Sequence, residues 1–153
     1  MVPSSLEEAR AFLASSRIAV VGVSRNEADF SRHAFRTLRL HGFEVVPVNP
    51  AVREIEKLTC FPRVQEVRPR ADAALLLVPT AQAEDAVRDC LAAGVRRIWF
   101  HRGAGQGAAS AAALALCHEN GVAVVQGLCP FMALPDAGFA HRVHGFLRRA
   151  LAR

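Results

Sequence analysis

The sequence lacks most features that identify membrane proteins, secreted proteins and metal enzymes. No apolar run reaches the roughly 20 residues needed to cross a bilayer, and residues 1–6 have neither the basic nor the apolar region of a signal peptide. The four cysteines are widely spaced and form no C-x-x-C pair, so we expect reduced thiols in a cytoplasmic protein.

Motifs of hydrolases and metal sites are also missing. We find no H-E-x-x-H motif, no serine–histidine–aspartate set with positional logic and no suitably spaced pair of acids. His141 and His144 lie one helical turn apart, but two ligands alone do not make a metal site. We therefore predict no catalytic and no metal-binding residues.

The positive charge comes almost entirely from arginine. The formal net charge is +5, and Lys57 is the only lysine. The arginines are scattered, with no recognition-helix pattern and no aromatic RNA-binding signature. This favours a small phosphorylated ligand over nucleic acid, and we expect neither a nucleic acid nor a membrane as partner.

Strand patterns alternate with helical patterns along the 153 residues, which is typical of one α/β domain with a parallel sheet. We predict a Rossmann-like three-layer α/β/α fold, residues 1–153, with five mainly parallel strands in the order 3-2-1-4-5 and a ligand crevice beside strand 1. The predicted strands are 18–23, 43–48, 73–78, 97–100 and 122–125. The predicted helices are 6–14, 31–41, 80–93, part of 103–120, and 140–151.

The first strand ends at Gly22, where the chain can turn sharply and approach a phosphate. A helix beginning near Ser31 directs its N-terminal amides to the same place, which is a general anion site. The loop is not a G-x-G-x-x-G fingerprint, because Ser24 and Glu27 replace the second and third glycines. A plain strand-to-helix turn is the alternative interpretation.

The second strand ends in Asn49 and Pro50, without the acid that binds ribose in an NAD site. Arg53 and Lys57 follow. A cation here suits a phosphorylated ribose, either in NADP or at the 3′-phosphate of coenzyme A (CoA). A solvated surface face would explain both residues equally well.

Three later strand ends add candidates. Val78 and Pro79 form an apolar ledge suited to an adenine ring, or simply end the strand. His101 could donate to a phosphate or act as a base, whereas Trp99 fits core packing better. Cys129 could be reactive near a helix N-terminus, although most single cysteines are packing residues.

Over residues 16–135 the chain resembles the small bacterial and archaeal CoA-binding domain proteins. These are similar to the N-terminal CoA-binding domain of the succinyl-CoA synthetase α subunit. The residues that carry the resemblance are 18–24, 42–50, Val78-Pro79, Trp99 and Cys129-Pro130.

The resemblance implies CoA as the ligand, with phosphates on the first loop and the adenosine end near residues 49–50 and 78–79. Residues 76–80 are less polar than the family's usual segment, which makes this site more like that of the synthetase subunit. The expected ligand contacts are Gly22, Val23, Ser24, Arg25, Ser31, Asn49, Pro50, Arg53, Val78, Pro79 and His101.

We therefore expect a stand-alone module that binds CoA or an acyl-CoA without catalysis of its own. The synthetases also need a phosphohistidine domain and a partner subunit, so we expect no ligase activity from this chain. One alternative is an NADP-dependent reductase or an acyl-transfer enzyme using Cys129 or His101. Another is a regulatory nucleotide-binding subunit that acts through a partner, and the sequence leaves open whether a second copy or another protein binds.

Overall fold

The computed structural model describes residues 3–101 and 109–135. The predicted helix over residues 140–151, with His141 and His144, lies outside the described residues. In chain order the strands are β1 (Ile18–Val21), β2 (Val45–Val48), β3 (Glu54–Ile55), β4 (Leu58–Thr59), β5 (Ala73–Leu76), β6 (Arg97–Phe100) and β7 (Ala123–Val125). The α-helices are α1 (Leu6–Leu13), α2 (Phe30–Leu40), α3 (Thr80–Ala92) and α4 (Ala111–Glu119), and Val64–Glu66 and Pro130–Ala133 form short 3-10 helices.

Five parallel strands form the central sheet in the order β2-β1-β5-β6-β7, and β3 pairs with β4 in a separate hairpin. This confirms the Rossmann-like α/β fold and the five sheet strands. The predicted order 3-2-1-4-5 is wrong: counted along the sheet strands alone, the order is 2-1-3-4-5. The third sheet strand pairs with the opposite side of β1, where Ile18 is in register with Ala73.

Packing explains this order. Every residue of β5 is buried, as expected for a strand covered on both faces in the middle of a parallel sheet. The outer edge of β2 is instead partly occupied by Phe61, whose N–H donates to the Pro47 carbonyl oxygen at 3.1 Å. β5 therefore lies inside the sheet and not beyond β2.

Helices cover both faces of the sheet and make two cores. On one face, α1 and α2 bury Phe12 and Phe35 against a layer that includes Trp99. On the other, α3 and α4 bury Val87 and Cys117 against alternate sheet residues. Side chains of successive strand residues point to opposite faces, so each strand contributes to both cores.

All four cysteines are free, as predicted. Burial raises the pKa of the Cys90 thiol and raises that of Cys117 to about 11, so both are protonated at neutral pH. Among residues 3–101 and 109–135, no helix has the length and apolar character required for a bilayer span.

Candidate functional site

A cavity of about 630 Å³ opens at the carboxyl ends of β1, β2 and β5. Because β2 and β5 lie on opposite sides of β1, the cavity is at the switch point where open parallel sheets bind ligands. Its volume is within the roughly 300–1,000 Å³ of small-molecule sites. Six of the predicted contact residues line it: Gly22, Ser24, Asn49, Pro50, Val78 and Pro79.

Gly22 forms the turn at the end of β1 with a φ of 93°, a conformation that favours glycine. A Cβ atom at this position would lie 2.7 Å from the Leu77 carbonyl oxygen and 3.0 Å from Cγ1 of Val78. Gly22 therefore lets the end of β1 lie against the end of β5. The close approach that the sequence suggested for a phosphate is made here to the protein's own backbone.

Asn49 joins the loops that follow β1 and β2. Its Nδ2 donates to the Val23 carbonyl oxygen at 2.8 Å, and its Oδ1 accepts from the Ala51 N–H at 2.8 Å. Its backbone N–H donates to the Phe61 carbonyl oxygen at 2.9 Å. Asn49 thus fixes the cavity rim, while the Val23 side chain is fully buried in the core.

Two serines and an aspartate organise the loop between β1 and α2. The Ser31 hydroxyl donates to Asp29 Oδ1 at 2.6 Å and accepts from the Ser24 N–H at 2.9 Å. Asp29 is the N-cap of α2 and also accepts from the Ser31 N–H at 2.8 Å. A carboxylate therefore occupies the helix N-terminus that the sequence suggested for a phosphate, and Ser31 is buried; its contact with a ligand stays a prediction.

Arg32 is a buried cation behind this loop, with 6% of its surface exposed. Its Nη1 donates to the carbonyl oxygens of Ser24 at 3.3 Å and Arg25 at 3.2 Å. Its Nε donates to Glu56 Oε1 at 3.1 Å, Nη2 pairs with the same oxygen, and Arg36 Nε bonds to it at 2.6 Å. This network could not be predicted from the sequence, because helical periodicity marks apolar residues as inward-facing and gives no signal for a buried arginine.

Glu56 should make the free energy of unfolding depend on pH in the acidic range. Hydrogen bonding from Arg32 above all, with a smaller effect from Arg36, lowers the pKa of Glu56 against the opposing effect of burial. A depressed carboxyl pKa contributes stability above the unfolded-state pKa of about 4.3, and that contribution is lost as the pH falls through the folded-state value.

We therefore expect the difference in unfolding free energy between wild type and Glu56→Gln to shrink from about pH 6 to about pH 3. Urea denaturation across this range measures it. Glu84→Gln is the control, because its exposed pairing with Arg88 contributes little. A difference for Glu56→Gln that is constant with pH would contradict a depressed pKa.

The polar wall of the cavity was not foreseen. Arg63 Nη2 pairs with Asp89 Oδ1 at 2.5 Å, and Gln65 Nε2 donates to the same oxygen at 2.9 Å. The hydrogen bond that Arg63 donates to Asp89 raises the pKa of Arg63, so the arginine is charged. Asp85 and Gln82 also line this wall. Residues 82, 85 and 89 lie on one face of the predicted helix, and their spacing in the sequence indicates this. Arg63 lies in an irregular stretch, where no sequence pattern indicates that it faces the cavity.

Two predicted cations lie outside the cavity lining. Arg25 and Arg53 are exposed, and neither has a carboxylate within ion-pair distance among the described residues. Arg25 and Arg53 lie in the loops after β1 and β2. The hydrogen bond from Asn49 to the carbonyl oxygen of residue 23 holds these two loops close together. Both arginines are thus on the cavity side of the sheet with unneutralised charge, and their contacts with a ligand stay predictions.

His101 is not among the residues that line the cavity. Its ring centroid lies 5.2 Å from that of Phe30, which is 5.7 Å from that of Phe131. Burial lowers the pKa of His101, so the ring is neutral at neutral pH. Trp99 is fully buried and its indole N–H donates to a backbone carbonyl at 3.0 Å, so it is a core residue. Cys129 is half-buried at the start of the last 3-10 helix.

No group of three histidine, cysteine, aspartate or glutamate side chains within residues 3–101 and 109–135 could hold a metal ion. The described part of the chain therefore presents a parallel α/β sheet with one concave, partly apolar site at its switch point. This combination defines the class of Rossmann-like domains that bind small ligands.

Comparison with known proteins identifies the family. The model of the CoA binding domain matches residues 16–135, and the chain belongs to this family. It is 33% identical over 73 residues to ADP-forming acetate–CoA ligase I of Archaeoglobus fulgidus, a segment that covers 48% of this chain and 11% of the ligase. The chain thus corresponds to a small part of that enzyme.

Two solved structures show the same relationship. A conserved hypothetical protein from Pyrococcus furiosus is 33% identical, with a TM-score of 0.67 over 74% of this chain and 94% of that chain. The dinucleotide-forming acetyl-coenzyme A synthetase 1 of Candidatus Korarchaeum cryptofilum, solved with phosphate and ADP, is 28% identical. Its TM-score is 0.65 over 78% of this chain and 27% of the synthetase. The domain therefore resembles both a single-domain protein and part of a larger enzyme.

Proposed function

We propose that this protein binds CoA or an acyl-CoA in the switch-point cavity, as a stand-alone module without chemistry of its own. The observation that carries the proposal is the cavity itself, which brings together six residues that the sequence had suggested as ligand contacts. Membership of the CoA binding domain family supports the choice of ligand. The likeness to a single-domain protein over 94% of its length supports a domain that works without a fused ligase.

The charges around the cavity suit a ligand with an apolar body and a phosphorylated end. Val78 and Pro79 offer an apolar surface for adenine, and aromatic or aliphatic surfaces of this kind line most small-molecule sites. Asp85 and Asp89 repel phosphate from the α3 wall, whereas Arg63 is a charged guanidinium in the same cavity. We therefore assign the phosphates to the space between the loop after β1 and Arg63, the cation in the cavity lining, and away from Asp85.

Isothermal titration with CoA, dephospho-CoA, NAD and NADP tests the proposal, using protein from which bound ligand has been removed. We expect CoA to bind at least about tenfold more tightly than NAD or NADP, a difference of roughly 1.4 kcal/mol. Equal or tighter binding of NADP would overturn the assignment and support a reductase. Absence of binding by all four ligands would contradict a stand-alone module.

Substitutions of Arg63 and Asp89 give a second test, because the two changes should alter CoA affinity in opposite directions. Arg63→Gln should weaken CoA binding about tenfold, because it removes a cation and leaves Asp89 without its ion-pair partner in the cavity. Asp89→Asn should strengthen binding roughly twofold to fivefold, since it removes a nearby negative charge worth at most about 1 kcal/mol. Equal effects of both changes, in either direction, would show that phosphate does not approach this wall.

Arg53→Ala completes the set. If Arg53 contacts the 3′-phosphate, its removal should weaken CoA more than dephospho-CoA, because only CoA carries that group. Equal losses for the two ligands would show that Arg53 does not bind the 3′-phosphate. Arg96→Ala is the control, since Arg96 is exposed at the amino end of β6, away from the cavity.

A further inference from the structure

A second concavity, of about 370 Å³, lies beside the outer edge of β2 and shares no lining residue with the switch-point cavity. It reaches Arg17, just before β1, and Glu44, just before β2. These residues mark the amino ends of the strands, whereas the switch-point cavity is at the carboxyl ends. The two concavities are therefore distinct, although Pro47 and Phe61 in one are followed in the chain by Val48 and Pro62 in the other.

Positive charge in this concavity is not balanced. Arg17, Arg39 and Arg68 line it with a single carboxylate, Glu44, which pairs with Arg17 at 2.7 Å. Arg39 and Arg68 have no ion-pair partner among the described residues. Two positive charges thus remain within one concave surface, and such clefts concentrate anions.

Backbone carbonyls hold these guanidinium groups in place. Arg39 Nη1 donates to the Glu56 carbonyl oxygen at 3.2 Å, and Arg68 Nη1 donates to the carbonyl oxygens of Gln65 at 2.7 Å and Val67 at 2.8 Å. Neutral acceptors orient the arginines without cancelling their charge. The arginines are thus preorganised donors, and planar guanidinium groups bind phosphate in a bidentate manner.

The remaining lining is apolar and does not suit an added β-strand. Phe43, Leu58 and Phe61 are half-buried around the concavity. Pro47 has no N–H to offer on the edge of β2, and its carbonyl oxygen already accepts from the Phe61 N–H. A peptide strand would therefore lack a continuous ladder of hydrogen bonds, whereas a compact ligand with a ring and an anionic group would fit.

We propose that this concavity binds a small phosphorylated organic molecule, with its phosphate on Arg39 and Arg68 and its apolar body against Phe43 and Phe61. The two cavities share no lining residue, so a substitution in one removes no residue of the other. The concavity would give the protein a second ligand.

Titration with phenyl phosphate, inorganic phosphate and benzyl alcohol tests the proposal. We expect saturable binding of one phenyl phosphate, at least about tenfold tighter than either probe that lacks one of its two parts. Inorganic phosphate binding as tightly as phenyl phosphate would exclude the apolar contact. Absence of saturable phenyl phosphate binding would overturn the site.

Variants locate the binding. Arg39→Gln and Arg68→Gln should each weaken phenyl phosphate binding about tenfold. Arg39→Gln is the decisive variant if Arg68→Gln unfolds, because Arg39 donates to one backbone carbonyl oxygen and Arg68 to two. Arg96→Gln, an exposed arginine outside the concavity, should have no effect; an equal loss there would indicate unspecific attraction and overturn the proposal. Arg63→Gln should also leave phenyl phosphate binding unchanged, and a loss there would place the probe in the switch-point cavity instead.

Discussion

Replacing Gly22 with alanine should lower the free energy of unfolding by about 3 kcal/mol, through backbone strain of about 1–2 kcal/mol and a steric clash of similar size. The strain arises because φ is 93° at this residue. The clash arises because the new Cβ atom would lie 2.7 Å from the Leu77 carbonyl oxygen, a backbone atom that cannot move without shifting the strand end. A loss of this size is a large fraction of the 5–15 kcal/mol typical of a domain.

Gly42→Ala is the matched control. Its φ is 86° and no atom lies within 4 Å of the position of a new Cβ, so this variant carries the strain without the clash. We expect a loss of about 1–2 kcal/mol, the strain alone. Urea denaturation of both variants gives the comparison, and equal losses would mean that the ends of β1 and β5 separate at little cost.

A loss of CoA binding in a Gly22 variant does not by itself locate the phosphate. The sequence suggested that glycine is needed here for close approach of a phosphate, yet the protein's own packing already requires it. A loss of binding in a Gly22 variant would therefore follow from a distorted cavity even if no phosphate touched this residue. Variants of cavity side chains such as Arg63 are better probes of where the ligand lies.

The positions of the sheet strands could be predicted because buried parallel strands are continuous apolar runs bounded by glycine, proline or polar residues. The order of the strands could not. The run at β5 indicates a strand buried on both faces, but the edge strand β2 is also buried at every residue, so the run fits a position beyond β2 as well as one beside β1. The choice depends on Phe61, which bonds to the outer edge of β2 from a segment without a clear pattern.

The residues of the candidate site also differ in whether the sequence could predict them. Gly22, Asn49 and Pro79 could be predicted because a strand end in a parallel sheet always faces the switch-point edge. Arg63 and Arg32 could not, since each contributes through one long side chain whose direction is set by tertiary contacts. Asp89 is intermediate, because its helix was predicted and only the orientation of that helix was unknown.

Arg32→Met should produce the second large effect, a loss of about 3 kcal/mol in the free energy of unfolding, since removing one partner of a buried ion pair typically costs this much or more. Methionine preserves much of the volume but leaves the carbonyl oxygens of Ser24 and Arg25 without their donor. It also leaves Glu56 with Arg36 as its remaining hydrogen-bonded cation.

Arg36→Met is the control that distinguishes the effect of the burial of Arg32 from the effect of its positive charge. Arg36 contacts the same Glu56 oxygen but is more exposed, with 37% of its side chain accessible against 8% for Arg32. Its removal should cost about 1 kcal/mol or less. Arg32 bonds to the carbonyl oxygens of Ser24, which lines the cavity, and Arg25, whereas Arg36 contacts the same loop at Glu27, outside the cavity lining. Arg32→Met should therefore also weaken CoA, by about tenfold under conditions where both variants are folded, and Arg36→Met should weaken it less. Urea denaturation and CoA titration of the pair test both statements. If Arg36→Met weakened CoA binding to the same extent, the charge of the network would be acting on the ligand. If Arg32→Met left CoA binding unchanged, the loop after β1, which Arg32 holds in place, would not contact CoA.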